Sequence, residues 1–272
     1  MLEALQMEFM QNAILAGLLA SLACGVIGSL VVVNRIVFIS GGIAHTAYGG
    51  IGLAFFLGIS PLLGAVGFTL SAALIMAWIT LKNKKRADTI IGVIWALGMA
   101  MGVILMDLTP GYNVDLMSYL FGSILAVPSS DLYFIAALDL LCLGLVFLFY
   151  PRFLAISYDE QFAVSRGVPV RALYYLLVVM IALVVVFLIR VVGLLLVIAL
   201  LTIPTYMAEG WCRSLKSMMF VSSLLCGFFT IVGLMLSYVF NLTSGASIIC
   251  VAGIFFFASL LLNPLLPAGT GQ

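Results

Sequence analysis

Few side chains in this sequence could do chemistry, and the first is its only histidine, His45, in "ISGGIAHTAYGGIGLAFFLG" (39–58). The second is Asp139, in "AALDLLCLG". Both fall well inside apolar runs long enough to cross a membrane, where an ionisable group costs about 2.5–3.5 kcal/mol or more and is by default a functional candidate. Neutral imidazole is a good ligand for zinc and an acceptable one for iron or manganese. The chemistry on offer is the holding of a divalent cation on a membrane path. The plainer alternative is a pair of buried polar groups, each held by a local hydrogen bond.

Helix spacing places the surroundings. Positions three, four and seven residues apart share a face. Around His45 these are Gly41, Gly42, Gly49 and Gly52, with bulk at Tyr48 and Phe38. A face of glycines predicts a small-residue pore lining with room for an ion beside the ring, although it equally allows close helix approach. Asp139 is expected within about two helical turns of the depth of His45, so the two could line one polar path. Asp88, Asp107 and Glu209 sit at span ends, and Arg190 at a short break. Met99, Met101 and Met106 are the nearest thing to a soft-metal cluster among thirteen methionines. Methionine is an ordinary filler of apolar helices, and packing is the reading adopted.

The elements that must position these residues follow from composition. The chain is 65% hydrophobic and 8% charged, with mean hydropathy +1.33. Soluble domains carry about 25% charged residues, so the solvent here is largely lipid. A net charge of +1 leaves no basic stripe for nucleic acid. The start, "MLEALQMEFMQN", holds Glu3 and Glu8 but no lysine or arginine, so a cleaved signal peptide is not expected and the first span is retained. Five scattered cysteines without a C-x-x-C signal neither a disulfide framework nor a thiolate zinc site.

A spanning helix needs about 20 apolar residues. Candidates fall at 13–33, 37–57, 61–81, 89–108, 131–150, 171–189, 191–208, 217–240 and 244–263. The expected fold is all-α, a polytopic helical bundle of eight or nine membrane spans forming one domain over 1–272. The uncertainty of count comes from the nearly continuous pair around Arg190. Ten of the eleven lysines and arginines fall on one side if the N-terminus is outside and the C-terminus cytoplasmic. The outer connection 107–131 turns at Pro110-Gly111, and its apolar part, 116–127, fits a short re-entrant or interfacial helix.

The inner connection "YPRFLAISYDEQFAVSRGVPVRALYY" (150–175) carries a helix of its own. Ser157 and Glu160 have capping-box spacing. Gly167 can end the helix left-handed, and Pro169 forbids its continuation. The result is a short helix at about 158–166, with Phe162, Ala163 and Val164 beside Asp159, Glu160 and Arg166. A helix this short is marginal alone in water. Its mixed charge disfavours a headgroup-seeking helix and favours a protein partner.

"SYDEQFAVSRGVPVRALYYLL" followed by "LIRVVGLLLVIALLTIPTYMA" resembles the permease subunits of metal-ion ABC uptake transporters, the zinc, manganese and iron class. "ADTIIGVIWALGMAMG", "DLMSYLFGSIL" and "GLMLSYVFNLTSGASIICVAG" fit the same family in order. The resemblance implies a homodimeric permease in the cytoplasmic membrane of a prokaryote. The short inner helix (about 157–167) would seat on a separate cytoplasmic ATPase subunit, and an extracytoplasmic metal-binding protein would dock outside. The divalent ion is cargo, and no covalently bound cofactor is implied. No G-x-x-x-x-G-K-[ST] occurs, so this polypeptide has no phosphate-binding loop and is not itself expected to be an enzyme. The family usually reads Asp-x-x-Ser-His where this chain has Gly41 to His45, and often a proline where it has Gly49. The resemblance therefore places a ligand at His45 and removes its usual partner, which Asp139 could replace. The competing class is a stand-alone secondary transporter or channel using His45 and Asp139 as a polar relay. An intramembrane enzyme is disfavoured because neither H-E-x-x-H nor G-x-S-x-G is present.

Overall fold

The computed structural model describes residues 7–110, 122 and 124–262, and no strand occurs among them. In lipid every backbone polar group must be satisfied within its own segment, and helices do this. They run α1 (Glu8–Val33), α2 (Val37–Leu57), α3 (Pro61–Lys82), α4 (Ala87–Asp107), α5 (Ser129–Tyr158), α6 (Glu160–Ser165), α7 (Val170–Val192), α8 (Leu194–Trp211), α9 (Leu215–Phe240) and α10 (Ser244–Leu262). Among the described residues nine helices, all but α6, are long and apolar enough to cross a membrane. The pair around Arg190 is thus two helices, parted at Gly193, whose φ of +82° suits a residue without Cβ.

Local signals set most boundaries. Gly58 (φ +67°) ends α2 and Asn241 (φ +56°) ends α9, both left-handed. Pro61 opens α3, where its missing N–H costs nothing. Helix α5 departs from expectation. It continues eight residues past 150, through Pro151 to Tyr158. The proline removes one hydrogen bond to the Phe147 carbonyl without ending the helix. The short helix expected at 116–127 falls mostly outside the described residues; of it, Ile124–Ala126 forms one 3-10 turn.

Two groups of helices meet at α7. Helix α2 packs along α4 and α3, and α1 along α9, α8 and α5, while α7 touches members of both groups. At one end the Lys84 ammonium pairs with the Glu160 carboxylate, joining the α3–α4 connection to α6. This is the basic end. At the opposite end Arg190 Nε lies 3.3 Å from Asp131 Oδ2, joining the end of α7 to the start of α5.

Candidate functional site

His45 sits near the middle of α2 and is only 9% exposed. Its imidazole stacks on the Trp95 indole of α4, with ring centroids 4.1 Å apart and planes at 13°. Trp95 Nε1 donates to Met99 Sδ at 3.2 Å, and Phe38 leans on the same indole with centroids 5.9 Å apart. The imidazole Nδ1 is buried and has no hydrogen-bond partner among the described residues. A buried unpartnered ring nitrogen is costly unless something fills its valence. Trp95 went unnoticed in the sequence because nothing in hydropathy tells which helix lies beside which.

The glycine face is not the open lining expected of it. A Cβ on Gly42 would lie 2.7 Å from the Ile91 side chain, on Gly49 2.7 Å from the Gly98 carbonyl oxygen, and on Gly52 2.3 Å from that of Gly102. Gly49 and Gly52 let α2 and α4 approach backbone to backbone, while Gly42 makes room for the Ile91 and Met76 side chains. Only Gly41 opens on space, with nothing within 4 Å of where its Cβ would be. The room beside His45 is therefore one turn toward the basic end, at the position where the resemblance expects a carboxylate.

Two cavities flank His45 along α2. One of about 540 Å³ at the basic end is lined by Phe38 and Ile39 with Arg35, Asp88, Glu160 and Tyr174. One of about 220 Å³ at the opposite end is lined by Ala47 and Ile51 with Ser60, Pro61 and Arg190. His45 itself faces Trp95 on α4 and lines neither cavity.

Asp139 is not brought to His45. Helix α5 packs on α1 and α7, whereas α2 packs on α3, α4 and α7, and α2 and α5 do not run along each other. Equal depth did not mean lateral proximity. Asp139 is 3% exposed, and neither carboxyl oxygen has a hydrogen-bond partner among the described residues. Its surroundings include Cys142 on its own helix and Cys24 of α1. The local hydrogen bond of the plainer reading is thus absent for Asp139, as it is for His45 Nδ1. Among the described residues no three His, Cys, Asp or Glu side chains converge on one point. One copy presents a single imidazole on α2, not a complete ligand set. Cys24, Cys142 and Cys226 are buried and free, consistent with packing.

The inner helix forms, but two residues later than expected and with a different cap. Asp159, not Ser157, is the N-cap of α6: its Oδ1 accepts from the Phe162 N–H at 2.9 Å. Ser157 lies in the last turn of α5, where its hydroxyl accepts from Asn34 Nδ2 at 3.0 Å. The capping-box reading fails because α5 does not stop at Pro151. Glu160 accordingly pairs with Lys84. Helix α6 ends where Gly167 turns left-handed at φ +75°, with the Val168 N–H donating to the Ala163 carbonyl at 3.0 Å. Pro169 then caps α7. Ala163 is fully buried against the bundle, while Phe162 (51%) and Val164 (59%) face outward and Arg166 lies over the Phe162 ring. The outer face of α6 is apolar and charged together.

The comparisons agree along the whole length. The model of the ABC 3 transport family matches residues 6–263. An uncharacterized membrane protein of Synechocystis sp. is 56% identical over 260 residues, spanning 96% of this chain and 92% of its own. The manganese transport system membrane protein MntC of Listeria innocua is 34% identical, spanning 96% of this chain and 92% of its own. The solved structure of PsaBC from Streptococcus pneumoniae in complex with Fab is similar with a TM-score of 0.85 at 33% identity, covering 95% of this chain and 94% of that one. Nine apolar helices, a capped helix at the basic end and end-to-end likeness lead to one conclusion: this chain is a multi-pass membrane protein that belongs to the ABC 3 transport family.

Proposed function

We propose that this chain is the permease subunit of an ABC importer that carries a divalent transition metal, manganese foremost, inward across the cell membrane. The observation that carries the reading is its end-to-end likeness to relatives named as manganese transport permeases. The geometry supports it with a buried, unpartnered imidazole nitrogen midway along α2 and open space at Gly41 one turn away. The whole chain acts as one membrane domain. ATP hydrolysis belongs to a separate cytoplasmic subunit that seats on the outward face of α6, and a metal-binding protein delivers the ion to the other side. The basic end is cytoplasmic, so the N-terminus lies outside and the C-terminus inside. Two copies meet so that the His45 of each contributes to one path, since one imidazole is too few ligands for the ion. Asp139 is a separate polar station between α5 and α1 rather than a co-ligand of His45. Manganese uptake into vesicles holding the full assembly tests the reading; transport by this chain without an ATPase would sink it.

Two outcomes follow for single residues. Asp159→Ala removes the only side-chain cap of α6, a loss of about 0.5–2 kcal/mol in helix stability, on a helix of six residues. The expected result is weaker co-purification of the ATPase with little change in the melting temperature of the permease itself. Gly41→Asp introduces a carboxylate into open space one turn from His45. The chain is expected to fold normally and to bind the divalent ion more tightly. Isothermal titration of the purified variant checks this, and unchanged affinity would remove Gly41 from the path.

A further inference from the structure

A groove of about 1010 Å³ runs along the outside of the bundle between α1, α5 and α9. It is far larger than a packing defect and reaches the top of the roughly 300–1,000 Å³ range of ligand pockets. Along α1 it extends from Leu18 to Val26, along α5 from Leu143 to Pro151, and along α9 from Leu224 to Lys216. Eight residues of helix rise about 12 Å, close to half of the ~30 Å hydrocarbon core. The groove therefore spans one leaflet, and on all three helices it ends toward the basic end.

Its chemistry changes along that length. The wall is aliphatic and aromatic, with Phe147 86% and Phe220 65% exposed. Its two serine hydroxyls donate to their own helices, Ser21 to the Gly17 carbonyl and Ser223 to that of Met219. Such a wall suits hydrocarbon. At the basic end stand Tyr150 and Lys216, the ammonium 4.9 Å from the ring centroid. Exposed Arg152 and Arg213 lie two and three residues from them in sequence. None of the three cations has an ion pair among the described residues.

We propose that this groove binds one anionic phospholipid of the leaflet at the basic end, its acyl chain along α1, α5 and α9 and its phosphate at Lys216. Basic pockets between spanning helices on the cytoplasmic side recognise acidic headgroups in this way. A tyrosine and a snorkelling lysine mark the depth of the interface. The site lies apart from His45 and from α6, and stands whether or not the chain carries manganese.

The test uses the full chain in nanodiscs holding photoactivatable phosphatidylglycerol or, separately, photoactivatable phosphatidylcholine. The expected result is labelling of groove residues about fivefold stronger with phosphatidylglycerol, the factor that corresponds to one lysine at the surface, about 1 kcal/mol. Lys216→Gln is expected to abolish that preference and Lys216→Arg to keep it. Leu22→Trp fills the groove and should remove the labelling there, while melting temperatures confirm that each variant is folded. Equal labelling by both lipids, or a preference unchanged by Lys216→Gln, overturns the proposal. So does efficient cross-linking of Phe220→Cys between copies, which would mean that a second copy covers the groove.

Discussion

Replacing His45 with alanine is expected to end divalent-ion uptake while leaving the bundle assembled. Removing even a group that merely orients a metal ligand costs about 10–100-fold in affinity, and removing the ligand costs at least that. Under the proposed arrangement one substitution deletes two imidazoles, one from each copy. The ring is not a keystone of the fold, since among the described residues Nδ1 has no hydrogen-bond partner and the ring stacks on the Trp95 face. Vesicle uptake of manganese together with a thermal melt separates the two effects. Asp139→Asn, measured beside it, should retain most of the uptake, because α5 and α2 do not run together. Full uptake by the His45→Ala assembly would take His45 off the path.

Gly52→Leu is expected to be the most disruptive single change in the membrane domain. A Cβ at this position would sit 2.3 Å from the Gly102 carbonyl oxygen and 2.7 Å from its Cα. The facing helix is blocked too, since a Cβ on Gly102 would lie 2.6 Å from the Tyr48 carbonyl oxygen. Both obstacles are backbone, which cannot rotate aside as a side chain can, so α2 and α4 must part. Overpacking in a well-packed core costs about 1–3 kcal/mol and occasionally more, and backbone obstacles put this case at or above the top of that range. Parting α2 from α4 also lifts Trp95 from His45. Yield of folded protein in detergent and its melting temperature check the prediction. Gly41→Ala beside Gly52→Ala is the control, because a Cβ at Gly41 meets nothing within 4 Å.

These two residues also mark what the sequence could and could not tell. The spans were legible, eight or nine of them, because lipid imposes one rule on every segment: be a helix and be apolar; that the pair around Arg190 is two helices was not. The end of α6 was legible because Gly167 and Pro169 act on their own neighbours. The start of α6 was misread because the fate of Pro151 depends on what surrounds α5, not on proline alone. Gly41 and Gly52 are the same letter on the same face of one helix, yet one borders space and the other a carbonyl. Only the lateral arrangement of helices distinguishes them, and hydropathy carries no lateral information. The same gap hid Trp95 and kept Asp139 from its expected place.

The contact between Ser157 and Asn34 has a mechanical meaning. Ser157 lies two residues before the cap of α6, and Asn34 lies three residues before the first residue of α2. The intervening turn holds Arg35 in a left-handed conformation at φ +57°. Under the proposed function, a torque applied to α6 by a docked subunit would reach the base of the histidine helix through one hydrogen bond and a three-residue elbow. Energetic coupling between two sites is reciprocal. An ion that favours one tilt of α2 would, through the same elbow, set how readily α6 accepts its load.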